Sequence, residues 1–72
     1  NAHDLINMGH LALARGRKKE AVELYRKSIL SGEINKKNFI SIFTEDQDQL
    51  ISLGVSADDL PILLDYLLFI LE

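Results

Sequence analysis

The chain has no cysteine, which excludes disulfides, thiolate metal sites and any reaction that needs a cysteine nucleophile or a redox-active thiol. One proline and four glycines are too few breakers for a turn-rich β protein and leave room for long helices. A Gly-rich phosphate loop is absent. Ser28, Ser31 and Ser41 lack His and acid partners at any spacing that would argue a nucleophilic triad. Glu45, Asp46 and Asp48 lack the glycine and terminal glutamate of a calcium loop, so they read as helix-capping acids. No catalytic constellation remains: an enzyme is not expected, and neither is a cofactor or a metal.

Basic residues are also missing from one half. All eight Lys and Arg lie within residues 1–37, which hold four acids and net +4; residues 38–72 hold seven acids, no base and net −7, together −3. The two halves can attract each other within one fold, or each can present its own contact surface. Nucleic acid is not an expected partner, because the run Arg15, Arg17, Lys18 and Lys19 is short and has no interleaved aromatics.

What is present is 72 residues, 47% hydrophobic and 26% charged. At that length only about 60% of the unfolded chain's surface is buried on folding. The expectation is a single helical domain over residues 1–72. Because the chain starts Asn1-Ala2-His3, it reads as a fragment of a longer protein. No basic-then-apolar leader is visible, and a cytoplasmic location is favoured.

The pattern is helical throughout. Leu5, Met8, Gly9 and Ala12 share one helix face over residues 2–14, made shallow by Gly9 and Ala12 and widened by Ile6, Leu11 and Leu13. Gly16 fits a left-handed cap. A second helix over residues 18–31 presents Ala21, Tyr25, Ser28 and Ile29, with Glu23 and Lys27 paired at i, i+4 on the other side. The short link makes the two helices antiparallel neighbours. Asn35 caps a third helix carrying Phe39, Ile40, Phe43, Leu50 and Ile51. Thr44 with Gln47 reads as a capping box, which predicts a break near Thr44 in a helix otherwise running from 36 to 53. Asp58 and Asp59 suit the start of a last helix with Pro61 in its first turn.

Between Leu60 and Leu71 only Pro61 and Asp65 fall outside the hydrophobic set. Twelve helical residues span about 18 Å, short of the roughly 30 Å core of a bilayer, so no membrane partner is expected. A helix apolar all round is normally buried all round. It is therefore either the centre of the bundle, wrapped by the segment from Phe39 to Leu53, or one of its faces meets another chain, as the seam of a homodimer, or a neighbouring segment of a longer protein.

Leu5, Met8-Gly9, Gly16, Ala21, Tyr25 and Ser28 together resemble the tetratricopeptide repeat, a helix–turn–helix unit of about 34 residues, here over residues 2–35. Leu5 replaces the family's tryptophan, Ala12 its first-helix aromatic and Glu33 its closing proline. Residues 36–72 carry no second copy. Since one unit cannot bury its own apolar face, they are expected to form two or three capping helices. The resemblance implies an all-α fold, a scaffold or adaptor function, and a protein or peptide partner held on the concave face of the first helix by His3, Ile6, Asn7, His10, Leu13 and Ala14. The alternative is a structural C-terminal cap or homodimerisation domain without a peptide ligand. As a metal site, His3 and His10 are two turns apart with no third ligand.

Overall fold

The computed structural model describes residues 1–71. Its described residues form five helices and no strand: α1 (Ala2–Ala14), α2 (Lys18–Leu30), α3 (Lys36–Glu45), α4 (Gln47–Ser52) and α5 (Asp59–Ile70). The fold is all-α.

Helix ends follow from local chemistry. The Asn1 side chain accepts from the Asp4 backbone N–H at 2.9 Å and opens α1. Gly16 takes φ +76° and turns the chain into α2, a conformation that costs a residue with a Cβ. Asn35 and Asn38 form a reciprocal capping box at the start of α3. Gly54, at φ +101°, closes α4. Neither Asp58 nor Asp59 makes a capping bond at α5. Asp59 instead reaches Lys18 at 3.6 Å, joining the acidic half to the basic one. On α2, Glu23 pairs with Arg26 at 3.3 Å rather than with Lys27.

The third helix does break near Thr44, two residues further along. Thr44 stays inside α3, and the interruption falls at Asp46. The expected Thr44 capping box does not form. Asp46 keeps right-handed helical angles, and its N–H still bonds to the Ile42 carbonyl, so α3 and α4 are nearly one helix. Its carboxylate makes no cap, because it is engaged elsewhere.

α1 and α2 form the tightest pair. Gly9 sets their approach: a Cβ there would lie 2.5 Å from Tyr25 Cε1 and 2.7 Å from Cδ1. Ala21 is fully buried on the facing side. Phe39 and Phe43, one turn apart on α3, pack on Tyr25 with ring centroids 5.5 and 5.6 Å away. Leu50 of α4 and Leu60 and Leu67 of α5 complete the core. Leu13 points inward and Leu11 outward beside the small Ala12.

α5 packs on α2 but is not the bundle's centre. Only Leu60 and Leu67 of that helix are buried, while Ile62, Tyr66 and Phe69 are 68, 54 and 72% exposed. α3 and α4 lie over α1 and α2 and leave this outer stripe open.

Gly9→Ala therefore opposes two effects. Alanine favours a helix interior by about 1 kcal/mol, but its methyl collides with a fully buried ring that Phe39 and Phe43 pack against. Overpacking of this kind costs about 1–3 kcal/mol. We expect a net loss of stability, seen as a fall of several degrees in Tm. A raised Tm would show that α1 and α2 can separate at no cost.

Candidate functional site

One polar cluster is buried. His10 is only 3% exposed. Its Nδ1 lies 2.7 Å from Tyr25 Oη and its Nε2 lies 2.9 Å from an Asp46 carboxylate oxygen. The carboxylate only accepts, so Nε2–H donates to it. Nδ1 then accepts the tyrosine O–H, a tautomer assigned from the network. α1, α2 and the α3–α4 junction contribute one member each. Burial first, and the nearby Asp46 charge second, push the Tyr25 hydroxyl well above its ordinary pKa of 10.0. The order acid–imidazole–hydroxyl is that of a nucleophilic relay. Here the hydroxyl is fully buried and held neutral, and no substrate atom can reach it. The relay ties helices together.

This arrangement divides the residues expected to line α1's open face. His3 and Asn7 are exposed and Ala14 is half-buried, but Ile6, His10 and Leu13 are enclosed by the chain's own helices. The six residues do not form one open face. The polar stripe His3, Asn7, His10 is divided: His10 turns inward because Asp46 and Tyr25 satisfy both ring nitrogens there. Nothing local marks it for burial, since its acid partner lies 36 residues away.

The open feature is a groove of about 630 Å³ between α2 and α5. Its floor is Leu13, Val22, Leu60 and Leu63. Lys18, Lys19 and Arg26 line the α2 wall, with Glu23 among them. The opposite wall is α5, with Ile62 and Tyr66 at its rim. Phe69 continues the rim stripe at i, i+4, i+7 from Ile62. The site residues read from the sequence, apart from Leu13, do not line it. The i, i+4, i+7 spacing within the apolar α5 run was the available signal, but a uniformly apolar helix does not say which of its faces stays open.

A smaller groove of about 240 Å³ is lined by Met8 and Leu11 of α1 and Leu24 of α2. Among the described residues no group of three or more His, Asp or Glu side chains is gathered as a metal ion would require. No described helix is long and apolar enough to cross a membrane. Comparison with protein-family models, with curated proteins and with solved structures finds no match to this chain.

Tyr25→Phe keeps the ring and deletes the O–H, leaving His10 Nδ1 buried without a donor. We expect a loss of about 1–3 kcal/mol near neutral pH. Asp46→Asn, which keeps an acceptor oxygen, should cost less. The wild-type chain should also be alkali-sensitive in a way the Phe variant is not. Below pH 10 tyrosine is neutral in both folded and unfolded states. Above it the unfolded chain loses this proton first, so stability falls by about 1.4 kcal/mol per pH unit until the folded-state pKa is reached. Denaturation curves at rising pH check this. Parallel slopes for the two chains would show that Tyr25 ionises freely.

Proposed function

We propose that the chain is a helical protein–protein interaction module of tetratricopeptide type, a part of a scaffold or adaptor, and that it docks a partner's helix or peptide in the groove between α2 and α5. The observation that carries this reading is the open apolar groove itself. Ile62, Tyr66 and Phe69 form a contiguous exposed stripe along it, and apolar surface of that kind on a small domain marks an interaction site. A groove rimmed by exposed apolar and basic side chains suits an amphipathic helix, which anchors through residues spaced i, i+3/i+4 and i+7.

The tetratricopeptide part rests on the register along α1 and α2. Gly9, Ala21, Tyr25 and Ser28, which resemble the family's packing positions, are all buried, and Gly9 and Tyr25 meet across the two helices. Ser28 Oγ donates to the Tyr25 carbonyl at 2.6 Å, so a small residue there also settles its hydroxyl locally. In a repeat array the half-exposed Met8 and Leu11 would be the surface on which a preceding helical unit stacks. The first-helix face offered by the family keeps His3 and Asn7 as possible contacts, but without Ile6, His10 and Leu13 it has no apolar anchor.

A photo-crosslinking amino acid placed at Tyr66, in cells that produce the protein, tests the docking face. We expect protein adducts at this position that disappear when Val22→Glu puts a charge on the groove floor. The same label at His3 should give few. Adducts at His3 alone would move the docking face to α1, and none at either position would sink the interaction reading.

A further inference from the structure

The groove's rim and its neighbouring flank carry opposite charges, and both occur on the same molecule. With 3.6 residues per turn, Ile62, Tyr66 and Phe69 define the outward line of α5. Asp59, Leu63 and Ile70 turn from that line toward α2 and its Lys18, Lys19 and Arg26. Asp58 and Asp65 turn the other way, and both are exposed. Lys18 is paired with Asp59 and Arg26 with Glu23, so the α2 wall keeps a net positive charge through Lys19, and across this one face the order is positive wall, apolar groove, apolar stripe, acidic flank. Lys19 and Asp65 form no ion pair within the chain among the described residues.

We propose that the occupant of the groove is α5 of a second copy of this chain, an inference that rests on the docking reading above and names its partner. A two-fold dimer uses one surface twice, so that surface must complement itself. Two orientations of the axis are open. An axis lying across α5 makes the two α5 helices antiparallel, and it sets basic wall on basic wall and acidic flank on acidic flank. An axis running along α5 makes them parallel. It seats each apolar stripe in the other copy's groove and lays each basic α2 wall over the other copy's Asp58 and Asp65. Like charges face to face are penalised, so Lys19 on one side and Asp58 and Asp65 on the other select the parallel arrangement. The α2 helices lie outside and the two α5 helices lie between them. The apolar run from Leu60 to Leu71 is then covered on every side, as a helix apolar all round requires. A standard interface takes about 800 Å² from each partner, roughly a sixth of the 4576 Å² surface of this chain. Two short helices reach the low end of that class, and a reversible dimer is expected.

Sedimentation across a wide concentration range tests self-association of the intact chain, with circular dichroism to confirm that each variant keeps its helices. We expect a monomer–dimer equilibrium that Phe69→Ser weakens by about tenfold or more. Lys19→Glu and Asp65→Lys should each weaken it by about tenfold through like-charge contact, and combining them should restore it, because the swapped wall again meets a swapped flank. The chain has no cysteine, so single substitutions report geometry cleanly. Ile62→Cys and Phe69→Cys should each form a symmetric disulfide in the parallel dimer. Cross-linking only between one Ile62→Cys chain and one Phe69→Cys chain would overturn the parallel arrangement. A monomer at every concentration, or a dimer indifferent to the charge swap, would overturn the proposal. If the monomer nevertheless gives photo-adducts with another protein at Tyr66, the groove is a docking site for that protein and only self-association fails.

Discussion

The Tyr25 side chain is the point on which the domain closes. Its ring fills the space that Gly9 leaves on α1 and receives Phe39 and Phe43 from α3. Its hydroxyl, through His10, reaches the carboxylate at the α3–α4 junction. A chain this small buries little apolar area and has no disulfide to constrain it. Joining α1, α2 and the α3–α4 junction through one fully satisfied polar chain adds specificity that apolar packing alone supplies less well. It also fixes where the C-terminal half sits. Asp46 belongs to that half, so the bond it makes to His10 holds α3 and α4 across the apolar face that one helical pair cannot cover.

That placement has a consequence on the other side of the molecule. Once α3 and α4 lie over α1 and α2, no further helix among the described residues is available to cover α5. α5 packs on α2 through Leu60 and Leu67 and presents Ile62, Tyr66 and Phe69 outward. The groove therefore follows from the same arrangement that encloses His10. Residues that looked available for a ligand were spent on cohesion, and residues that looked like core form the open surface.

The helices and their ends were legible in the sequence because the forces that set them are local. Gly16 and Gly54 stop helices by backbone geometry, Asn35 caps by a bond three residues long, and Ala21, Tyr25, Ser28 and Ile29 share a face by the helical period alone. Exposure along α1 was legible in part. His3 and Asn7 were placed correctly on an exposed face, but His10 was not. A histidine flanked by exposed residues on a helix carries no mark of a carboxylate 36 residues away. The break at Asp46 was displaced for the same reason: the capping motif at Thr44 scored only local bonds, while the Asp46 side chain had a better partner in another helix.

The sequence by itself determined an all-α chain, the bounds of its first two helices, the close seat at Gly9 and the separation of basic from acidic halves. Each is a matter of residue type and spacing within a few turns. Only the tertiary structure decided which face of the uniformly apolar α5 is buried and which is open, and that His10 belongs to the core. Those outcomes depend on which distant side chains arrive at the same place. The spacing along a helix fixes directions around its own axis; it says nothing of what another helix brings to meet them.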